Sequence, residues 1–521
     1  MFKKIVGYIK PFYFLLLIPF FLLHNINYYF GLIPSQLILS SLFAYLALSA
    51  AIYLFSKAVF KDDVKAGIYS FILMSFFFGF GAFKDSLEAN SFFHRFAAYS
   101  YLLPAILIIS SLLFFYLKKS RQNFRKLNTF LFLAVTVNLL VEGFIYSKNI
   151  LNHAEEKNDL GDRSLSISSN YTPCSDCKQP DIFFIIFDEY SSSASLKKYF
   201  NYDNSAVDSF LLKNNFFISR ESRSNYCFTS FSISATLKMD YLNLPANYKE
   251  ADARDLARGE YTVYNNNVVK ILEKQGYEIH NNSIFDIKNY PSALGTYFFP
   301  LRKMFLNDET LLGRTKRDIG WNLIRFKSKE QQAADINQQA IDNAHLIANN
   351  FNTAFQLAKQ TVQDEDPDKK DFFYFHFMLP HDPYIYDSSG NLKYYTDYGL
   401  DGKYKYIEQL KYTNRKLKEI IDFIQEHYKG QAVILLQGDH GYKQWPGDPD
   451  FWDIAFSNLN AIYLPDKDYR SYYSKVTSVN TFRLLFNHLF NSHFGILPDN
   501  SIPVFVKKDL KKNYGIKQDE K

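Results

Sequence analysis

Up to about residue 150 the chain alternates long apolar runs with short polar clusters, and beyond it charged residues, Asn, Gly and Pro are spread evenly. The runs fall at about 11–31, 36–54, 66–83, 97–117 and 127–146, each near the roughly 20 residues a helix needs to cross the hydrocarbon of a bilayer. Five membrane spans are predicted. The first is the weakest, because its clean apolar stretch ends at Leu23, before His24, Asn25 and Asn27, and Lys3 and Lys4 ahead of it would also suit a signal peptide. No small-residue cleavage pattern follows, so it reads as a retained span. Residues 148–180 lack periodicity and are rich in Asn, Ser, Asp and Lys, which marks a linker.

From residue 181 the pattern becomes that of an α/β domain. The unbroken run Ile182 to Phe187 fits a strand buried on both faces, as in a parallel sheet. A second strand begins at Phe372, an amphipathic helix runs from Glu408 to Lys429 and stops at Gly430, and Ala432 to Leu436 is a third strand. Helical stretches are also predicted over Asn204 to Lys213 and within Lys303 to Lys370. The expectation is a transmembrane helical domain at 1–147, a linker at 148–180 and one domain with a mostly parallel central sheet at 181–521.

Charge fixes the expected orientation. Lys3, Lys4 and Lys10, then Lys57, Lys61 and Lys65, then Lys118, Lys119, Arg121, Arg125 and Lys126 fall on one side, while the opposite loops carry only Lys84 and Arg95. Lys and Arg near span ends stay cytoplasmic, so the residues after the fifth span lie outside. The net charge of +6 is thus partly a topology signal, and no basic motif with interleaved aromatics suggests nucleic acid. Three cysteines exclude a disulfide-dense scaffold or a Cys-rich zinc module. Cys174 and Cys177 suit a small local disulfide in an oxidising compartment.

Ligands of open sheets bind beyond the carboxyl ends of the strands, where Asp188, His381 and the pair Asp439 and His440 are expected to converge. Two carboxylates and an imidazole suit a divalent cation. Gly438 and Gly441 flank the adjacent pair and would allow a sharp turn. Between these elements, Ser224 to Leu242 is a hydroxyl-rich stretch leading into periodic apolar residues, with Thr229 where a helix would begin. A hydroxyl there is either an N-cap or a nucleophile served by free amides and the helix dipole.

The ordered segments PDIFFIIFDEY, SNYCFTSFSISATLKMDYL, FHFMLPHDPY, VILLQGDHGY and VNTFRLLFNHLF resemble the motifs of membrane-bound sulfatase-like transferases and hydrolases of the alkaline phosphatase and sulfatase superfamily. Lipoteichoic acid synthases and lipid A phosphoethanolamine transferases are the nearest functional comparisons. The resemblance implies an alkaline phosphatase/sulfatase-like fold, one divalent ion (Mn, Zn or Mg) held by Asp188, Thr229, Asp439 and His440, and Thr229 as nucleophile. His381 and Ser232 would contact the substrate, with His376 as a pocket-wall residue. Glu189 is the rival to Asp188 as ligand, and the transferases carry Glu where this chain has Asp188. Arg483 reads as a structural residue on a helix.

The implied reaction is transfer of a lipid-derived head group, of phosphoethanolamine or phosphoglycerol type, through a covalent Thr intermediate. The donor would be a membrane lipid, the acceptor an envelope glycan, lipid or protein, and the place the outer side of a bacterial cytoplasmic membrane. Hydrolysis of phosphate or sulfate esters and a non-catalytic envelope sensor are the alternatives. A formylglycine sulfatase is disfavoured, because around Cys227 the required Pro and Arg are replaced by Thr229 and Phe231.

Overall fold

In the computed structural model, which describes residues 11–30, 33, 35–151, 165–244, 249–294, 306–319, 329–364, 366, 369–393, 402–444 and 446–506, the apolar runs are helices. They are α1 (Leu17–Tyr28), entered through a 3-10 turn at Tyr13–Leu16, then α2 (Ser35–Phe60), α3 (Asp63–Ala89), α4 (Tyr99–Lys119) and α5 (Arg125–Leu151). Among the described residues α2 to α5 are long and apolar enough to cross a membrane, whereas the first apolar helix, Tyr13–Tyr28, is shorter. It rises only about 25 Å against roughly 30 Å of hydrocarbon. Lys3, Lys4 and Lys10 lie outside the described residues.

The polar residues that cut the first run short fasten α1 to α5. Asn27 Nδ2 donates to Glu142 Oε2 at 2.7 Å and to the Glu142 carbonyl at 2.9 Å, and His24 Nδ1 lies 2.7 Å from Glu142 Oε1. Between helices in lipid, where apolar contact alone discriminates little, such bonds fix the pairing.

The chain divides into two compact units, Met1–Asn158 with Pro300–Lys327, and Asp159–Phe299 with Ser328–Lys521. The boundary expected near residues 148–180 is therefore crossed twice more. Leu306 is fully buried in an apolar cluster with Tyr13, Ile18, Phe21 and Met74. The Gly81 amide donates to the Glu309 carbonyl at 3.0 Å, Arg314 pairs with Asp85, and Tyr99 Oη donates to the Arg314 carbonyl at 3.1 Å. A Cβ on Gly81 would stand 2.8 Å from Glu309 Cα, so this close approach needs glycine. The helix Leu311–Ile319, expected in the soluble part, thus packs with the membrane helices.

The second unit is built on a six-stranded sheet whose strands are β1 (Ile182–Phe187), β2 (Phe217–Ile218), β3 (Glu278–Asn282), β4 (Asp371–Phe377), β5 (Val433–Gln437) and β6 (Asn460–Tyr463). Their order is β2-β6-β5-β1-β4-β3. β1 is central and parallel to both β4 and β5, with Ile182 opposite Phe372 and Val433; β3 is parallel to β4, and β6 runs antiparallel to β5. All six β1 residues are buried, which explains the absence of polar alternation. Phe183, Ile185 and Phe187 enter one core, Ile182, Phe184 and Ile186 the other, and Phe183 stacks on Phe373 at 4.4 Å.

Along the chain the helices used below are α6 (Thr229–Lys238), α7 (Ala253–Tyr264), α8 (Lys329–Gln363), α9 (Gly402–His427) and α10 (Thr481–Phe490). Residues of α8 and α9 join the first core, and residues of α6 and α10 the second. Beyond α9 the chain turns through Lys429 and Gly430, both at positive φ, so the glycine closes the helix as expected. Cys174 and Cys177 form a disulfide.

Because Gly81 admits the backbone of residues 308–309, Gly81→Leu is expected to release that segment. Tryptic cleavage at Arg314 and Lys316 in detergent-solubilised protein should then accelerate about tenfold or more, since cleavage follows the population of the opened form.

Candidate metal and nucleophile site

Three chain crossings at the carboxyl edge of the sheet bring the chemistry together: Asp188 after β1, His376 near the end of β4, and Asp439 and His440 after β5. Glu189, one residue beyond Asp188, has φ of +62°, a left-handed conformation that costs a residue with a Cβ about 1–2 kcal/mol. It turns the chain sharply, and the two carboxylates part. The Glu189 side chain accepts from the Lys443 amide at 2.9 Å and from Gln444 Nε2 at 3.3 Å, leaving Asp188 to face the site.

The Asp439 turn is fixed by its own carboxylate. Oδ1 accepts from the amides of Glu189 at 3.0 Å and His440 at 2.9 Å, while Oδ2 is buried without a hydrogen-bond partner. Asp188 shows the same division: Oδ2 accepts from Thr229 and His376, and Oδ1 is buried and unbonded. Gly438 and Gly441 are needed for a reason other than the one expected. Neither is among the positive-φ glycines; a Cβ on Gly438 would meet the Tyr190 carbonyl at 2.3 Å, and one on Gly441 the Ile454 carbonyl at 2.2 Å. Neighbouring backbone therefore leaves no room for a side chain at either position.

Thr229 is the first residue of α6. The N-cap is Phe228, whose side chain caps nothing, so the cap reading of Thr229 is not what the fold uses. Its hydroxyl donates to Asp188 Oδ2 at 3.3 Å and lies 3.4 Å from His440 Nε2. The amides of Phe231 and Ser232 are bound to the Phe228 carbonyl, so those of Thr229 and Ser230 head the open end of the helix. Every residue of α6 is buried. Its far end is held by Asn267 Nδ2 on the Lys238 carbonyl at 2.8 Å and Arg483 Nε on the Met239 carbonyl at 2.6 Å. Arg483 is thus structural, as read, although its partners are carbonyls rather than acids.

Three oxygens lie around His440 Nε2. His440 Nε2 is 3.4 Å from Thr229 Oγ1, 3.4 Å from Asp439 Oδ2 and 3.7 Å from Asp188 Oδ1. A tetrahedral ion with ligands at about 2.0–2.2 Å spaces them about 3.3–3.6 Å apart. The two unbonded carboxylate oxygens belong to this set, so the residues fit a divalent cation. His440 is prepared for it: Nδ1–H donates to the Gly441 carbonyl at 2.8 Å, which leaves the Nε2 lone pair facing the site. Burial also pushes the pKa of His440 down to about 4, keeping the ring neutral.

His376 stands within ligand range of the same two carboxylates, but its surroundings favour an orienting part. Tyr374 Oη can donate to Nδ1 at 3.1 Å, which leaves Nε2–H to donate to Asp188 Oδ2 at 3.2 Å. In that arrangement it holds the Asp188 carboxylate. Ser232, read as a substrate contact, instead donates to the Asp439 carbonyl at 2.5 Å and braces the turn. His381 fits its expected place: Nδ1–H donates to the Asp382 carbonyl at 2.6 Å, and Nε2 reaches to 3.9 Å from Asp188 Oδ1. Burial lowers its pKa, but the carboxylates of Asp188, Asp382 and Glu189 outweigh this and raise it to about 9.

Burial opposes charge on Asp188 too, yet His381, His376 and His440 hold its carboxyl far below the ordinary range. At Glu189 burial outweighs the opposing influence of His381 and lifts the carboxyl to about 7. Cys227 is buried with its thiol pushed up to about 12, which disarms it as a nucleophile. Lys443 was not foreseen. Its Nζ lies 2.8 Å from His440 Nε2.

The structural neighbours of the chain are phosphoethanolamine transferases and sulfatases. No family model matches it, and no curated protein does. The periplasmic domain of EptC from Escherichia coli aligns at 12% identity over 64% of this chain and 90% of that one, with a TM-score of 0.37. The integral membrane phosphoethanolamine transferase EptA from Neisseria meningitidis aligns at 11% over 85% and 83%, with a TM-score of 0.34. A putative sulfatase from Bacteroides fragilis aligns at 10% over 62% and 77%, with a TM-score of 0.31.

The two imidazoles are separable by metal content. After dialysis against zinc and elemental analysis, His440→Ala should retain no stoichiometric ion, whereas His376→Ala should bind about 10–100-fold more weakly but still saturate, as second-layer replacements do. Equal and complete loss in both would make His376 a ligand.

Proposed function

We propose that this chain is a membrane enzyme that transfers a phosphoryl-type head group through a covalent intermediate on Thr229. The observation that carries the reading is the placement of the Thr229 hydroxyl: first residue of a buried helix, in contact with both Asp188 and His440, and not used as a cap. A hydroxyl serving only structure would be spent on a first-turn amide.

A divalent ion held by Asp188, Asp439, His440 and Thr229 would lower the pKa of the hydroxyl and neutralise charge on the phosphoryl group. Thr229 Oγ, its proton lost to solvent beforehand, then forms a bond to phosphorus as the bond from phosphorus to the donor oxygen breaks. The open amides of Thr229 and Ser230 face the oxygens that gain charge. His381, whose pKa the carboxylates of Asp188, Asp382 and Glu189 raise against the effect of burial, would supply the proton for the departing oxygen from Nε2. In the second half an acceptor hydroxyl gives its proton to His381, its oxygen bonds to phosphorus, and the bond to Thr229 breaks. Asp188 and Asp439 keep fixed positions throughout, gripped by His376 and by the Glu189 and His440 amides.

A lipid donor agrees with the four membrane-length helices joined to this domain. Lys57, Lys61 and Lys65 at the α2–α3 junction and Lys118, Lys119, Arg121, Arg125 and Lys126 at the α4–α5 junction favour a cytoplasmic side there, hence an extracytoplasmic catalytic unit. The Cys174–Cys177 disulfide suits that compartment. The acceptor class would be an envelope glycan, lipid or protein.

Incubating the detergent-solubilised protein with zinc and total membrane lipids should add the mass of one head group to the peptide containing Thr229. Thr229→Ser should keep partial turnover, and Thr229→Ala should lose at least about a thousandfold, as expected when a nucleophile is removed, while remaining folded. An Ala variant that still acquires the mass would place the nucleophile elsewhere.

A further inference from the structure

Lys443 is the charged group of the site that the scheme above leaves without a task. Its position is set by its own backbone: the Lys443 amide donates to the buried Glu189 carboxylate at 2.9 Å, so the residue is anchored three positions after His440. From there its ammonium bends back to His440 Nε2 at 2.8 Å, with the Phe228 ring centroid 5.5 Å away. Phe228 is the N-cap of α6 and immediately precedes Thr229. Thr229 Oγ1 lies 3.4 Å from the same Nε2, so ammonium and hydroxyl share one neighbour.

An ammonium only donates. Here it donates to the one lone pair of His440 that the metal would need. Ion and Lys443 therefore compete for Nε2, and the ion's charge would also repel the ammonium. The displaced group has few other acceptors close by. Asp188 Oδ1 and Asp439 Oδ2 belong to the ligand set, and Glu189 is already engaged by the Lys443 amide and Gln444. What then faces it is the open end of α6, where an anionic group on Thr229 would lie. The face of Phe228 keeps a cation there at small cost.

We infer that Lys443 is an anion-binding residue that exchanges partners, resting on His440 before the ion arrives and moving to the non-bridging oxygens of the phosphoryl group once it is held. This rests on the proposed function, because it takes the metal and the group on Thr229 from that reading. It adds a linkage: the ion frees the cation that the tetrahedral oxyanion needs, so metal and oxyanion strengthen each other's binding. Two carboxylates already offset a divalent ion, so a further cation is what an added anion requires.

The test uses the full-length protein in detergent, with zinc and inorganic phosphate as probes and calorimetry or chelator competition as readout. Removing the competitor in Lys443→Met should tighten zinc severalfold and weaken phosphate binding to the zinc-loaded protein about tenfold or more, the size of one charge-assisted hydrogen bond. Lys443→Arg, which keeps the cation, should restore phosphate affinity, and circular dichroism reports folding of both. Zinc that is unchanged or weaker in a folded Lys443→Met protein, or phosphate affinity equal to wild type, overturns the proposal. If instead the wild-type protein takes up no zinc, the reading of the site itself has failed.

Discussion

Two buried carboxylates at one end of a sheet govern this structure. Oxygens of Asp188 and Asp439 come within 4.8 Å of each other, and each residue has one oxygen facing no donor. Like charges so close and so dry repel strongly unless a cation or proton is supplied. The surrounding fold supplies partial compensation from several directions: the His376 ring, the Glu189 and His440 amides, the Thr229 hydroxyl and the nearby His381. None of these satisfies the two inward oxygens. Their geometry matches what an ion would ask, so the turn after β5, the left-handed Glu189 and the burial of α6 can all be traced to holding that pair in place.

The fixed position of α6 follows from the same need. A hydroxyl shared between Asp188 and His440 keeps both contacts only if it is placed to within a fraction of an ångström. Mobile loops do not hold such tolerances. The helix carrying Thr229 is packed on every side, with α7 so near that a Cβ on Gly259 would come within 3.0 Å of the Phe231 ring. Ser234 Oγ bridges to the Gly259 carbonyl at 2.6 Å. The hydroxyls of this segment are, in the fold, the ties that let a polar helix be buried.

Much of this was legible from residue patterns, and the rest was hidden for definite reasons. The unbroken run of β1 announced a doubly covered strand, and a hydroxyl before periodic apolar residues announced where α6 begins. Contacts between distant segments left no local mark. Ser232 was given a substrate contact by the resemblance alone, whereas in the fold it meets the Asp439 carbonyl. The glycines beside Asp439 suggested conformational freedom, whereas crowding by the Tyr190 and Ile454 carbonyls is what excludes a side chain. Lys443 follows an irregular loop and has no periodicity to mark it. The attachment of residues 306–319 to the membrane helices was hidden by its polar composition, since Leu306 and Gly81 carry the contact and neither stands out.

That attachment changes what kind of chain this is. Because Pro300–Lys327 is grouped with the N-terminal helices, the polypeptide passes between the two units three times, not once. After proteolysis in the 148–180 segment no peptide bond would join the second unit to the N-terminal helices, and only the packing of residues 306–319 against them would retain it. A secreted fragment begun at residue 178 would carry Leu306 stripped of the aromatic pocket that covers it. The soluble unit is better obtained by replacing 300–327 with a short polar bridge than by cutting at the obvious linker.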